Sequence, residues 1–131
     1  MKTAVLLAAF NGSAHLPGLL ESLRSQTDPD FIVLMQDDGS SDDTPAILRE
    51  IAALDDRFVF TPEQGKHLGA AGNFLSLIRQ ADADCCLLCD QDDIWEPEKI
   101  AVLKQALLDL EQECGAAEPL LVHSDCLLID E

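Results

Sequence analysis

The sequence predicts an α/β domain, a mainly parallel sheet flanked by helices and Rossmann-like in plan. Three observations carry this. Short apolar runs alternate with segments whose apolar residues recur at helical spacing. That alternation builds βαβ units, whose strands lie parallel. Polar, acid-rich clusters fall just after the apolar runs, at the carboxyl ends of the strands, where open α/β sheets bind ligands.

Thr3–Ala8 is a continuous apolar run, as expected of a strand covered on both faces. From Ala14 to about Gln26, helical spacing runs through Leu16, Leu19, Leu20 and Leu23, with Ser13 as a cap and Pro17 in the first turn. Phe31–Gln36 is a second buried strand. A helix then starts at Asp43 or Thr44, with Pro45 in its first turn and Ile47, Leu48, Ile51 and Leu54 on one face. Arg57–Phe60 is a short third strand. The Gly-rich stretch Gln64–Gly72 leads into a helix from about Asn73 to Ala81. Cys85–Cys89 is a fourth strand, Glu98 to about Glu113 a long helix behind Pro97, and Leu120–Ile129 a fifth strand, interrupted near Ser124-Asp125. The sequence stops at Asp130-Glu131, directly after that strand, so the domain is expected to be truncated at its C-terminus or to be a very short natural form.

The 131 residues fit one domain, residues 1–131, without repeats, low-complexity stretches or a linker. At 47% hydrophobic content the chain can bury a core. No apolar run approaches the roughly 20 residues that span a bilayer. Met1–Phe10 has the look of a signal peptide, but its apolar run is short and passes straight into Asn11-Gly12-Ser13 with no fitting cleavage site, so a buried first strand and a cytoplasmic protein are expected. Five cysteines (Cys85, Cys86, Cys89, Cys114 and Cys126) without a framework spacing argue against a disulfide scaffold. On a strand, Cys85 and Cys89 share a face and Cys86 takes the other, so the three do not share one zinc; small buried core cysteines are expected.

The formal net charge is −17, from 25 acidic and 8 basic residues. Nucleic acid is excluded as a nonspecific partner, because phosphate binding needs a basic surface. A phosphate-bearing ligand would be repelled unless a cation or local backbone donors intervened, and a divalent metal is the natural bridge.

The clusters at the strand ends are Phe10-Asn11-Gly12, then Asp37-Asp38-Gly39-Ser40-Ser41-Asp42-Asp43-Thr44, then Asp90-Gln91-Asp92-Asp93, with His123-Ser124-Asp125 on the fifth strand. In a parallel sheet they share one rim. Asp37-Asp38-Gly39-Ser40 can equally be an ordinary turn into a helix cap, and Asp42 and Asp43 suit capping. Asp90-Gln91-Asp92 sets alternate carboxylates where the chain turns, so both can project toward one hard cation, Mg²⁺ or Mn²⁺. Gly65-Lys66-His67-Leu68-Gly69-Ala70-Ala71-Gly72 is no Walker A sequence. It is either a flexible connection that needs glycine or a phosphate- or sugar-holding loop with Lys66 and His67 as donors. Asn73 serves as a helix cap or a ligand. Adjacent residues on a strand alternate faces, so His123-Ser124-Asp125 cannot converge as a hydrolase triad.

Phe10-Asn11-Gly12, the Asp37–Thr44 cluster and Asp90-Gln91-Asp92-Asp93-Ile94-Trp95 resemble, in order and spacing, motifs of family 2 glycosyltransferases with the GT-A fold. Gly69-Ala70-Ala71-Gly72-Asn73-Phe74 and His123-Ser124-Asp125 resemble its bacterial rhamnosyltransferase-like branch. The resemblance covers essentially the whole chain but only the family's donor-binding half. It implies a nucleotide site at Phe10, Asn11, Asp37, Asp38, Gly39 and Asp90, with Phe10 stacked on the base where the family often has tyrosine. Asp38 would accept the N3–H of uracil or thymine, which cytosine lacks. It further implies Lys66, Asn73 and Gln91 at the donor's phosphates or sugar. Asp92 would be the direct Mn²⁺ or Mg²⁺ ligand, with Asp90 near the metal or sugar, and Trp95 either packs beneath the site or touches ligand.

The implied reaction is inverting transfer from a UDP- or dTDP-linked sugar to a saccharide or lipid-linked saccharide acceptor in surface-polysaccharide synthesis. Its general base is expected outside this chain, so the chain alone is a donor binder that can lack turnover. Such relatives often work at the inner face of the membrane, yet nothing here is amphipathic and basic enough for more than peripheral association. Two alternatives remain: a non-catalytic nucleotide-binding module, and a nucleotidyltransferase. The latter wants a basic Gly-rich loop after the first strand, where this chain reads Phe10-Asn11-Gly12-Ser13-Ala14-His15.

Overall fold

The computed structural model describes residues 1–61 and 67–129. Its elements are β1 (Thr3–Ala9), α1 (Leu16–Arg24), β2 (Ile32–Asp37), α2 (Thr44–Leu54), β3 (Phe58–Phe60), α3 (Gly69–Gln80), β4 (Cys85–Asp90) and α4 (Lys99–Cys114). The strands form one sheet in the order β3-β2-β1-β4, and every pairing is parallel. β1 is central. Its register sets Leu6 between Leu34 and Leu88, and Ala8 between Gln36 and Asp90.

Strand alternation splits the core in two. Val5, Leu7 and Ala9, with Val33, Met35, Leu87 and Cys89, face a large cluster formed with Leu16, Leu19 and Leu23 of α1, Leu48 of α2, Trp95, and Ile100 of α4. Ala4, Leu6 and Leu34 face the other side, covered by Leu77 of α3. Gln36, 1% exposed, lies on this second face, and its Oε1 accepts hydrogen bonds from Thr61 Oγ1, Ser76 Oγ and Gln80 Nε2. The single helix α3 packs on β1 and β2, so this face of β4 is open, and Leu88 is 59% exposed.

Three expectations are corrected. Leu120–Ile129 is not a strand: it has no regular structure, and Leu121 and Leu128 are 84% and 97% exposed. A strand needs a partner for its backbone as well as an apolar pattern, and in the described residues this segment has none. α3 begins at Gly69, before Asn73, because its first amides are capped from a distant loop. Of the cysteines only Cys89 is fully buried; Cys85 is half-buried, and Cys86, Cys114 and Cys126 are exposed, Cys86 because it points to the uncovered face of β4. All five are free thiols. Burial pushes the Cys89 thiol well above its ordinary pKa, as expected of an inert core residue.

Leu7→Ala, in the centre of the sheet, is expected to lower unfolding stability by about 2–5 kcal/mol, and Leu88→Ala on the open face by less than about 0.5 kcal/mol, in urea denaturation.

Candidate donor-binding site

Past Ala9, β1 leaves the sheet, and its amides need new acceptors. Four successive N–H groups find them on side chains from neighbouring loops. Phe10 N donates to Gln91 Oε1 (2.9 Å), Asn11 N to Ser40 Oγ (2.7 Å), Gly12 N to Thr44 Oγ1 (2.9 Å) and Ser13 N to Asp42 Oδ2 (3.1 Å). Asn11, at φ +47°, returns a bond by accepting Ser41 N at 2.9 Å. The connection after β1 is therefore gripped by the loop after β2 and the loop after β4.

The acidic cluster after β2 is mostly occupied in this way. Asp37 is 6% exposed and accepts the amides of Gly39 and Ser40 and the Ser40 hydroxyl. Gly39, at φ +88°, provides the left-handed turn. Asp42 accepts Thr44 N as well as Ser13 N, whereas Asp43, directly before α2, makes no side-chain cap bond. Asp38 is 4% exposed. Its Oδ1 accepts Leu68 N at 2.7 Å, its Oδ2 accepts Gly69 N at 2.9 Å, and His67 Nδ1 lies 3.0 Å from Oδ2. It thus caps α3 across a separation of some 30 residues in sequence.

A cavity of about 360 Å³ opens at the carboxyl ends of β1 and β4, beside α3. Ala8, Phe10, Asp38, His67, Gly69, Asn73, Asp90, Gln91 and Asp92 are among its lining. The Phe10 ring is 42% exposed and packs on the His67 ring at 4.9 Å, tilted by 51°. Asn73, in the first half of α3, is no cap: its Nδ2 donates to Gln36 O and Ala9 O, and its buried Oδ1 has no partner. Both Gln91 amide atoms bond the Phe10 backbone. Trp95, undecided in the sequence, does not line the cavity: it is 3% exposed in the cluster with α1 and α4, its amide donates to Ser22 Oγ, and Lys99 Nζ lies 4.6 Å from its ring centroid. Lys66 falls outside the described residues. His123, Ser124 and Asp125 are exposed in the irregular segment and do not line the cavity, which corrects their placement on the rim.

Asp90 and Asp92 differ from the acids after β2. Among the described residues their carboxylates accept no hydrogen bond and form no ion pair. Asp93 beside them has its pKa raised by burial first and then by the charges of Asp90 and Asp92. No group of three His, Cys, Asp or Glu side chains that could hold a metal occurs among the described residues. Two uncommitted carboxylates on a cavity wall still fit a hard divalent ion whose remaining ligands are water and substrate phosphate, the usual manner of Mg²⁺.

A parallel sheet with a cavity at its strand ends, lined by an aromatic ring and acids, has the layout of open α/β domains, which bind ligands at the carboxyl ends of their strands. Residues 4–117 match glycosyl transferase family 2, and the chain belongs to that family. It is 34% identical over 98 residues to the dTDP-rhamnosyl transferase RfbG of Shigella flexneri, covering 72% of this chain and 34% of that protein. Among solved structures it resembles TarS of S. aureus in complex with UDP (TM-score 0.72, 25% identity, 86% of this chain and 33% of that one). It also shares its fold with the mannosyltransferase PcManGT of Pyrobaculum calidifontis in complex with GDP-Man and Mn²⁺ (TM-score 0.74, 22% identity, 81% of this chain and 32% of that one). The chain thus spans about a third of the length of each. These neighbours establish the GT-A architecture expected from the sequence.

Hydrogen bonding from Thr44, and then from Ser13, holds the Asp42 carboxyl below its ordinary 3.8. A depressed folded-state pKa contributes stability above the unfolded value, lost as pH falls through the folded one. Asp42→Asn is therefore expected to be less stable than wild type at pH 7, with the difference shrinking below about pH 4, in thermal unfolding scanned against pH.

Proposed function

We propose that this domain binds the nucleoside diphosphate of an activated sugar and presents that sugar for transfer to a saccharide acceptor, as the donor-binding part of a glycosyltransferase. The observation that carries the reading is one cavity lined by an aromatic ring after β1, a carboxylate after β2 and two uncommitted carboxylates, Asp90 ending β4 and Asp92 just past it. Phe10 stacks on the base. Asp38 accepts one backbone N–H on each oxygen, with His67 Nδ1 also 3.0 Å from Oδ2, and a remaining lone pair takes the N3–H of uracil or thymine. Asn11, Asp37 and Gly39 shape the nucleotide side through the turn they brace. Asn73, on the cavity wall, faces the sugar and phosphates, and Lys66, outside the described residues, is proposed from the sequence alone as a phosphate donor.

Asp92, with Asp90, holds Mn²⁺ or Mg²⁺ together with the diphosphate. The bound ion would offset phosphate charge and stabilise the departing nucleoside diphosphate as a Lewis acid. The acidity of the chain supports this arrangement: at −17, a diphosphate needs a cation to approach two carboxylates. RfbG, named for a dTDP-linked sugar, and TarS, solved with UDP, both support a uridine or thymidine donor. The acceptor is a saccharide or lipid-linked saccharide of a surface polysaccharide. Among the described residues no helix is long and apolar enough to cross a membrane, and approach to a lipid-linked acceptor would be peripheral.

Calorimetric titration with UDP and with dTDP, each in Mn²⁺ and in EDTA, tests the reading. Binding of at least one in Mn²⁺ and its loss in EDTA are expected. Asp92→Asn should remove most of the metal-dependent affinity, about tenfold or more for a lost charge-assisted ligand. Unchanged affinity in Mn²⁺ would reject Asp92 as a ligand.

A further inference from the structure

We infer that Gln91 is a positioning residue, whose amide ties the backbone of Phe10 to the acidic loop after β4 so that the aromatic wall and the carboxylates of the cavity hold one geometry. The inference rests on the proposed donor site and gives Gln91 a different role from a direct contact to the sugar or phosphates. Gln91 Nε2 donates to Phe10 O at 2.8 Å, and Gln91 Oε1 accepts from Phe10 N at 2.9 Å. Backbone pairing between β1 and β4 ends with Ala8 opposite Asp90. From there the side chain of Gln91 takes over, and its amide exchanges both bonds with Phe10 alone, the pattern of a hydrogen-bonded antiparallel pair although β1 and β4 run parallel.

The residue type is specific to the task. One donor and one acceptor are needed at fixed spacing. A carboxylate would set an oxygen against the Phe10 carbonyl, and asparagine is one methylene shorter. Gly12 makes the room: a Cβ there would lie 2.2 Å from Gln91 Oε1 and 2.6 Å from its Cδ. Gly12 does not have a positive φ, so alanine is tolerated by its backbone, and the methyl would push Gln91 off Phe10. The Phe10 ring is 42% exposed, so burial alone does not fix it.

Two measurements test this. The first needs no ligand: amide hydrogen exchange at Phe10 is expected to accelerate in Gln91→Ala and in Gly12→Ala while the central amides of β1 stay protected. Unchanged exchange at Phe10 overturns the tether. The second is a double-mutant cycle on UDP affinity in Mn²⁺. Gln91→Ala is expected to weaken UDP by about five- to tenfold, and Phe10→Ala/Gln91→Ala to bind no more weakly than Phe10→Ala alone. Pyrophosphate with Mn²⁺ should bind Gln91→Ala as it binds wild type. Additive losses in the cycle, or weakened pyrophosphate binding, would overturn the positioning role in favour of direct contact. If wild type binds no UDP, the donor-site reading fails, and the exchange at Phe10 still decides the tether.

Discussion

A parallel strand that ends at a ligand site leaves its last amides without the neighbours that satisfied them inside the sheet. Unsatisfied N–H groups at a partly buried rim are costly, and helix α1 begins too late to take them all. In this protein the amides of Phe10, Asn11, Gly12 and Ser13 are each accepted by a side chain, from Gln91, Ser40, Thr44 and Asp42. Much of the rim follows from that requirement. Ser40, Asp42 and Thr44 stand at alternate positions, and their oxygens meet three adjacent amides of the opposite loop. A stretch that reads as a dense array of ligands is for the most part a brace.

The acids accordingly divide into two kinds. Asp37, Asp38 and Asp42 are held by backbone N–H groups, and hydrogen bonding compensates their charge at short range. Asp90 and Asp92 have no such compensation among the described residues, and the pKa of Asp93 beside them is raised first by desolvation and then by their charges. Concentrated negative charge at the mouth of a cavity, in a chain of net charge −17, repels an anionic ligand unless a cation comes with it. The committed acids give shape to the rim, and the uncommitted ones set its demand for a counterion.

Sequence patterning reached the parts of the fold that depend on local period. The continuous apolar runs at Thr3–Ala8 and Phe31–Gln36 were readable as strands covered on both faces, and β1 and β2 lie within a residue of them. It failed where a distant partner decides. The start of α3 depends on Asp38, about 30 residues upstream, and the local sequence alone favoured Asn73. Leu120–Ile129 has the composition of a strand, but composition supplies no second edge to pair with. Gln91 lies in the most conspicuous motif of the chain, where the family resemblance implies a ligand contact. Its side chain instead folds back onto the Phe10 backbone, a contact across some 80 residues that no local pattern encodes. Of the implied site residues, Phe10, Asp38, Asn73, Asp90, Gln91 and Asp92 are brought to one cavity, whereas Asp37 and Asn11 brace it from behind.

Strand parity explains why the cavity receives Asp90. Cys89 is fully buried in the large cluster with α1 and α4, which turns its neighbour Asp90 to the α3 side of the sheet, where Ala8 lies directly opposite. Ala8 and Gly69 contribute little side-chain volume, and with Ala70 they leave the space that larger residues would fill. A slip of β4 by one residue would place Cys89 at the cavity and drive Asp90 into the apolar cluster, an arrangement excluded by the cost of burying an unpaired carboxylate. The same alternation points Cys86 and Leu88 to the face that α3 leaves uncovered, so the acid stands at the end of an exposed apolar column. One register, fixed by core burial on the far side of the sheet, therefore determines both which carboxylate lines the cavity and which apolar residues lie open beside it.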